Sequence, residues 1–523
     1  MKSEEKLNKD LRLLAKTSAI VFISIFLSKI FTYVYRIIIA RYYGPEIYGI
    51  FILALMVIGW LGAFANFGLS SGLVRYTSIL RAHNKKQEIK FLFWNTIKLG
   101  LISTFISAII LFILSKKISL GLFNEPLLIP FLKILALAIP LTILSEFFLS
   151  IIVGYEKIST YSLIHKVSTG FFKVLFIFLF ISLGLGVSSI YFSYIFALLL
   201  TLVFAVFVCV FHFPYLFKKI FLKPTSKRSS LFRKMFAYSW PLFFYEFAWQ
   251  IFHWTDSFIL GIFKSATDVG IYGSGIQTAF LLTISSNLFI QLFFPMINRE
   301  NSLKNKKIVK QLSQQVGKWI FFINLPVIIL LLLFPEFFLN ILFGNEFLLA
   351  KNSLRLLSVG LFFFSIFDVS DKIIAMAGRS KLIFVDLLVA IGINLFLNIL
   401  LVPEYGILGA AFATALSLIV LSMIFVFQSF SLFKIIPVRR KMFNLLLAGL
   451  LATSFLLFFT KIISQTIFSL TMVFVTFLLL YIIFSFLFKA FDRNDFMILK
   501  SVYTKIRDLF RVYSFQKFLN KSS

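Results

Sequence analysis

The sequence has a single cysteine, Cys209, so it cannot form an intramolecular disulfide or a cysteine-based metal site. Its four histidines form no HExxH pair, and no G-x-x-x-x-G-K-[ST] phosphate loop is present, so zinc-protease and P-loop ATPase chemistry are excluded. Charged residues make up only 14% of the chain, against about 25% in a typical soluble protein. No polar stretch is long enough to fold as a soluble domain, and we expect a non-enzymatic protein without a cofactor or bound metal.

Long apolar runs take the place of soluble domains, and hydrophobic residues account for 60% of the chain. A bilayer core of about 30 Å needs about 20 apolar residues per helix. The sequence therefore predicts an all-α polytopic membrane protein with about fourteen transmembrane helices. The predicted runs are 18–40, 47–73, 91–114, 127–152, 160–183, 188–211, 235–263, 271–296, 313–335, 352–376, 382–402, 406–430, 442–460 and 466–488.

Positive charge alternates between successive connectors, and the net charge is +31. Of the 52 lysines and arginines, 37 lie in the terminal segments and the even-numbered connectors, whereas only 6 lie in the odd-numbered connectors. Because positive loops stay cytoplasmic during insertion, we expect a protein of the cytoplasmic membrane with both termini inside the cell. The charge suits anionic membrane lipids, and we do not expect nucleic acid as a partner.

The second half of the chain repeats the first at three places. The matching segments are Tyr48-Gly49-Ile50 with Val269-Gly270-Ile271, Gly154 with Gly378, and Gly186 with Gly406, at offsets of 221, 224 and 220. An even number of helices separates the matches, which predicts two pseudo-symmetric six-helix lobes in the same orientation. The predicted units are an N-terminal lobe (1–211), a basic linker (212–234), a C-terminal lobe (235–430), two extra C-terminal helices (431–490) and a basic tail (491–523).

Three segments carry a family resemblance: ARYYGPEIYGIF from Ala40, FGLSSGLVRY from Phe67 and VPEYGILGAA from Val402. They resemble the polysaccharide flippases of the multidrug/oligosaccharidyl-lipid/polysaccharide (MOP) exporter superfamily, over about residues 12–490. The resemblance implies a 6+6+2 helix arrangement. It also implies translocation of a lipid-linked oligosaccharide by alternating access between two lobes.

Three basic residues inside apolar runs are the candidate substrate-binding groups: Lys29, Arg36 and Lys173. A charge within a bilayer costs roughly 2.5–3.5 kcal/mol, so each needs a partner or a wet cavity. Arginine binds phosphate oxygens in pairs and lysine supplies a point charge, so we expect a cationic cavity wall for a pyrophosphate group. In the same lobe, Glu146 is a candidate partner for Lys166.

Acidic residues inside the second-lobe runs are candidates for gating or ion coupling: Glu246, Asp256, Asp368 and Asp386. Asp256 matches Arg36 in the repeat, so the two are expected to pair when the outer mouth is closed. Asp368 and Lys372 are spaced i, i+4 and are expected to pair on one helix face. Na⁺ or H⁺ is the candidate coupling ion.

These observations favour a flippase for a polyprenyl-pyrophosphate-linked oligosaccharide, an anionic substrate, with membrane lipids and glycan-assembly proteins as candidate partners. The alternatives are a cation-coupled multidrug exporter of the same superfamily and a polytopic polysaccharide polymerase or ligase. The basic residues of the first lobe argue against the exporter. The short connectors at about 115–126 and 336–351 argue against the enzyme, which would need a large extracellular catalytic loop. A membrane scaffold in a glycan-assembly complex would not need intramembrane charges.

Overall fold

The computed structural model describes residues 2–218, 225–462 and 467–492, together with Asp495. Every regular element within these residues is helical, which confirms the predicted all-α class. In a bilayer the backbone has no water to bond, so each spanning segment satisfies its own N–H and C=O groups as a helix. The helices are α1 (Lys2–Asn66), α2 (Leu69–Ala82), α3 (Lys86–Gly121), α4 (Leu128–Leu135), α5 (Ala138–Gly154), α6 (Ile158–Tyr161), α7 (Thr169–Ser182), α8 (Ser188–His212), α9 (Ser226–Phe263), α10 (Ala266–Ala279), α11 (Leu282–Ser302), α12 (Lys306–Leu333), α13 (Pro335–Leu342), α14 (Lys351–Met376), α15 (Ser380–Tyr405), α16 (Ile407–Phe433), α17 (Lys441–Ile462) and α18 (Ile467–Leu487).

Eleven helical segments in the described part of the chain are long and apolar enough to cross a membrane. The first of them, Ile23–Asn66, joins two predicted runs across a kink at Gly44, whose φ is 79° and which precedes Pro45. The eleven segments cover twelve of the predicted runs, and α9 with α10–α11 covers the other two. The count of fourteen spans is consistent with these helices and stays a prediction.

Following the division that the repeat predicts, we call the helices up to α8 the N-terminal lobe and those from α9 to α16 the C-terminal lobe. The repeat is visible in the backbone, because Gly186 and Gly406 both have a left-handed φ, of 55° and 54°, just before α8 and α16. Glycine adopts this conformation without the strain that a side chain would add. The structure thus places a glycine of positive φ at the matched position of each lobe.

The connectors gather on two opposite faces of the molecule. On one face, which we call the weakly charged face, Tyr43 donates a hydrogen bond to the carbonyl of Gly186 at 2.7 Å, and Lys264 donates to that of Pro403 at 2.9 Å. On the other, the basic face, Trp94 donates to the carbonyl of Leu216 at 2.7 Å. Each of these contacts joins segments that the charge pattern assigns to the same side. Which face is cytoplasmic stays a prediction.

A buried ion-pair network joins the end of α18 to α12 on the basic face. Lys318 is 2% exposed and pairs with Asp495, which is 0% exposed, and its Nζ lies 3.7 Å from Oδ2 of Asp492. Arg439 and Lys441, at the start of α17, also pair with Asp492, the former at 2.8 Å. The two extra helices are therefore attached to the C-terminal lobe by charge as well as by apolar packing. The rest of the predicted basic tail, residues 493–494 and 496–523, lies outside the described residues.

Candidate functional site

The lobes meet where the first half of α1 packs against α10. The Arg36 guanidinium donates to Oε1 of Gln277, and the Tyr33 hydroxyl donates to the main-chain oxygen of Gln277 at 2.8 Å. Among the described residues, no carboxylate lies within ion-pair distance of Arg36. Its charge is therefore held by a neutral amide from the opposite lobe and is not cancelled.

Further basic groups surround Arg36. Lys29 interacts electrostatically with Arg36 and with Lys166, and His253 of the C-terminal lobe lies close enough to interact with Arg36 and Lys29. Lys29 and Lys166 are both partly buried, and within the residues that the structure describes neither has a hydrogen-bond or carboxylate partner. A charge held in this way needs water or an anion, because an unsolvated ion is costly in an apolar medium.

Lys173 extends the same basic surface along α7. Its Nζ lies 3.7 Å from the ring centroid of Tyr194, a cation–π geometry. His165 interacts with both Lys166 and Lys173. We call Lys29, Arg36, Lys166 and Lys173 the cationic cluster, and it contains all three basic residues singled out in the sequence.

A π-helix over Ser162–Ser168 precedes α7 and carries Lys166. A π turn displaces one backbone carbonyl from its usual partner. Here the carbonyl of Ile164 accepts hydrogen bonds from the side chains of Ser168 and Thr169, the latter at 3.4 Å. Such turns are frequent at functional sites, and this one carries Lys166, which interacts electrostatically with Lys29.

A cavity of about 230 Å³ lies between the lobes, next to the turn that joins α1 and α2. It is lined by the last turns of α1, by α5, by Tyr194 of α8 and by α9. Its polar lining residues are Asn66, Thr142, Glu146, Tyr194, Glu246 and Gln250. Because both lobes contribute walls, this cavity changes shape whenever the lobes move relative to each other.

The two carboxylates of the cavity come from different lobes. Glu146 accepts hydrogen bonds from Asn66 at 2.7 Å and Ser70 at 3.3 Å, while Glu246 accepts one from Ser71 at 3.1 Å. The expected pairing of Glu146 with Lys166 is therefore not formed. The side chain of Glu146 instead accepts hydrogen bonds from residues at the turn between α1 and α2.

Asp256 is 2% exposed and lies inside the C-terminal lobe. Its carboxylate accepts hydrogen bonds from Tyr272 and Thr414, and from the amides of Asn398 at 2.9 Å and Asn394 at 3.3 Å. The Oδ1 atoms of Asn394 and Asn398 are buried without a hydrogen-bond partner in the described part of the protein. These oxygen atoms, contributed by α9, α10, α15 and α16, form a closed group. We call its residues the Asp256 group: Asp256, Tyr272, Asn394, Asn398 and Thr414.

The expected pairing of Asp256 with Arg36 is absent from this structure, although the lobes are in contact on the weakly charged face. Asp256 is turned into its own lobe, where four donors satisfy it, and Arg36 is turned toward Gln277. Matching positions in a repeat fix the depth of two residues but not the direction of their side chains.

The other acidic candidates lie farther along the C-terminal lobe. The i, i+4 pair is confirmed, since Nζ of Lys372 lies 3.4 Å from Oδ1 of Asp368, and Lys372 also pairs with Asp371. Asp386 accepts a hydrogen bond from Gln428 at 2.7 Å, and its second oxygen is buried without a partner in the described residues. Neither Asp368 nor Asp386 lines the inter-lobe cavity.

The lobes also touch at both ends of the site. On the weakly charged face, Arg41 donates to the last carbonyls of α13, with Nη2 at 2.7 Å from the oxygen of Asn340, and Glu125 accepts from the backbone N–H of Ala266 at 3.0 Å. On the basic face, the Arg75 guanidinium lies 4.1 Å from the ring centroid of Tyr238. The polar region is thus enclosed between two sets of inter-lobe contacts.

Family models and proteins of known sequence match this chain over much of its length. Residues 14–300 match the family model described as polysaccharide biosynthesis protein, and residues 241–400 match the MatE model. An uncharacterized membrane protein of Methanocaldococcus jannaschii is 25% identical over 85% of this chain and 89% of its own length. A Shigella flexneri protein named for O-antigen transport is 26% identical over 73% of this chain and 89% of its own.

Among solved structures, the lipid II flippase MurJ in its inward closed conformation superposes with a TM-score of 0.68. The match covers 90% of this chain and 98% of MurJ at 18% identity, which shows a shared fold. Together with the family match over more than half of the chain, this shows that the protein belongs to the polysaccharide biosynthesis family, within the polysaccharide-flippase branch of the MOP exporter superfamily.

Proposed function

We propose that the protein is a flippase that moves a polyprenyl-pyrophosphate-linked oligosaccharide across the cytoplasmic membrane by alternating access. The observation that carries the proposal is the cationic cluster at the lobe interface, where Lys29 and Lys166 have no anionic partner among the described residues. A pyrophosphate would neutralise these charges, because charge-assisted hydrogen bonds to phosphate oxygens are strong. The names of the S. flexneri relative and of MurJ support the substrate class.

The role of the protein in transport follows from the cost of moving a sugar head through hydrocarbon. A glycan that loses its water without replacement partners pays a large desolvation penalty for every hydroxyl and charge. The cavity and the cationic cluster supply such partners, while the lipid tail stays in the bilayer. Relative motion of the lobes then exposes the site to each side of the membrane in turn. No covalent step is needed, so the protein acts as a transporter.

The Asp256 group is the best-supported candidate for a coupling ion. Hard cations prefer oxygen ligands, and in transporters they are often held by side chains and carbonyls near the middle of the membrane. Asp256 supplies the charge, and the unpartnered Oδ1 atoms of Asn394 and Asn398 are lone-pair donors without another function. These three residues and Thr414 would hold Na⁺. Binding would bias the lobe equilibrium only if the ion favoured one arrangement of the lobes.

The test is leaflet exchange in reconstituted vesicles with a fluorescent polyprenyl-pyrophosphoryl oligosaccharide. We expect Lys29→Ala and Arg36→Ala to slow exchange about tenfold or more, because a charge-assisted contact is worth about 1.5–3 kcal/mol. Lys133→Ala is the matched control, since Lys133 is an exposed lysine on α4 that lies against Phe112. Unchanged exchange in both cluster variants would contradict the proposal. Vesicles that exchange only small cationic drugs would support the multidrug exporter.

A further inference from the structure

The cavity next to the cationic cluster differs from it in charge. It contains two carboxylates and two amide side chains but no lysine or arginine in its described lining. Glu146 and Glu246 face it from opposite lobes and interact electrostatically with each other. Hydrogen bonds from Asn66 and Ser71 hold their positions, and no basic side chain within ion-pair distance neutralises them in the described chain. The cavity is therefore polar and acidic.

The cavity and the cluster adjoin each other. Tyr194 lines the cavity and carries Lys173 against its ring at 3.7 Å. On α9, Glu246 and Gln250 line the cavity, whereas His253 lies near Lys29 and Arg36. Seven residues separate Glu246 from His253, which is roughly 10 Å along a helix axis. One extended ligand can therefore contact both regions.

The lining suits a sugar ring. Carboxylate and amide oxygens accept hydrogen bonds from hydroxyl groups, and the amides of Asn66 and Gln250 also donate. The cavity volume of about 230 Å³ is many times the roughly 10–15 Å³ that a cavity needs to hold one water. An acidic sugar would bring a further negative charge against two carboxylates, and a like charge in such a place is a strong element of discrimination.

We propose that this cavity is a glycan subsite that admits neutral or amino sugars next to the pyrophosphate and rejects sugars that carry a carboxylate. The inference rests on the proposed flippase function and adds its substrate class. In this arrangement the pyrophosphate lies at the cationic cluster, and the first sugars extend from it toward the turn between α1 and α2. The two carboxylates of the cavity then select against glycans whose first sugars carry a negative charge.

The test compares two lipids that differ only in the sugar, polyprenyl-pyrophosphoryl N-acetylglucosamine and polyprenyl-pyrophosphoryl glucuronic acid. In vesicles containing the wild-type protein, we expect the neutral sugar to exchange at least tenfold faster than the acidic one. The double variant Glu146→Gln/Glu246→Gln keeps the shape and removes both carboxylates, so the ratio should fall toward one. Glu336→Gln, at an exposed carboxylate of α13, should leave the ratio unchanged.

The outcomes separate the two proposals. If neither lipid exchanges faster than in empty vesicles, the flippase function itself fails. If wild type exchanges both lipids equally, or the double variant keeps the wild-type preference, the subsite is wrong while the flippase function stands. A double variant that slows both lipids by the same factor would likewise overturn the subsite, and would indicate that the carboxylates bind a proton or cation. Thermal unfolding of each variant shows whether it is folded.

Discussion

Gly49 of the N-terminal lobe and Gly270 of the C-terminal lobe, which are matched in the repeat, are packed against each other in the structure. A Cβ on Gly49 would overlap the carbonyl of Ala266, and a Cβ on Gly270 would overlap the carbonyl of Pro45. Ala266 and Pro45 are related by the same offset of 221 as the two glycines. The contact is therefore reciprocal, as at a two-fold axis, and small residues permit the close helix approach that membrane helices use.

We expect Gly49→Ala to open the weakly charged face. The added methyl group overlaps backbone, which cannot move aside as a flexible side chain can, and overpacking of this kind costs about 1–3 kcal/mol. The readout is labelling of Ile52→Cys in a Cys209→Ser background by a membrane-impermeant thiol reagent, because Ile52 is buried against Gly273 on the other lobe.

Gly392→Ala is the matched control for this substitution. Gly392 lies within α15, and a Cβ there meets nothing within 4 Å. Labelling that rises equally in both variants, or in neither, would contradict the role of the glycine contact.

A second prediction concerns the charged caps that cross between the lobes. Glu125 accepts from the N-terminus of α10 and Arg41 donates to the C-terminus of α13, so each charge complements a helix dipole. We expect Glu125→Gln and Arg41→Ala each to favour the open face by about 0.5–2 kcal/mol, as for other caps. Thiol labelling of Ile52→Cys in the Cys209→Ser background measures this opening of the weakly charged face.

Lys351→Ala serves as the control for the cap variants, because Lys351 pairs with Glu336 within its own lobe. If it increases labelling as much as Arg41→Ala does, the effect is one of surface charge and not of lobe contact.

The Asp256 group leads to a prediction about sodium. A ligand that binds the folded state raises the unfolding temperature as its concentration increases. We expect Na⁺, compared with K⁺ at the same ionic strength, to raise the Tm of the wild type but not that of Asp256→Asn. Glu404→Gln, at an exposed carboxylate at the end of α15, should retain the full response. Equal stabilisation of wild type by both ions would exclude a sodium site.

The buried pair of Lys318 and Asp495 predicts a large loss of stability. Removing one partner of a buried ion pair leaves an uncompensated charge and costs about 3–5 kcal/mol, so Lys318→Met should strongly lower the unfolding free energy. Lys318→Met/Asp495→Leu should recover much of the loss. Lys351→Ala breaks an exposed pair and should cost at most about 1 kcal/mol. A small effect of Lys318→Met would show that the pair is not buried within the protein.

Asp492 gives the same network a pH dependence. Burial alone would raise the pKa of Asp492, but the hydrogen bond from Lys441 and the charges of Lys318 and Arg439 outweigh it and lower the pKa. A lowered carboxyl pKa stabilises the fold above the unfolded value of about 3.9, and the contribution disappears as pH falls through the folded pKa. Asp492→Asn should therefore be less stable than wild type at pH 7 and converge toward it in acid, as measured by thermal unfolding in detergent.

The sequence predicts the helices well, because the length of an apolar run reports directly on the thickness of the bilayer. The reciprocal contact of Gly49 with Gly270 could be expected from the repeat once the two lobes face each other. Rotation about each helix axis is harder to predict. Spacing alone places Lys29 and Arg36 on one helix face, because seven residues nearly complete two turns, but it does not predict which residue Glu146 contacts on another helix.

Neutral polar residues carry the part of the site that sequence reasoning missed. Gln277 holds Arg36, and Asn394 and Asn398 complete the Asp256 group. The signal was present, since two asparagines spaced i, i+4 in an otherwise apolar helix share one face and have to be satisfied there. Because these amides are neutral, a prediction based on charged residues alone does not include them.

The π-helix before α7 has a consequence for the length of that helix. A single extra residue accommodates the wide turn, and each residue of a regular helix corresponds to a rotation of about 100°. Deleting one residue between Ser162 and Ser168 would restore regular winding while rotating everything that precedes it relative to Lys173. The spacing of positive charge in the cationic cluster is thus set by one inserted residue, and an evolving lineage could redirect the lysines of this helix by gaining or losing a codon.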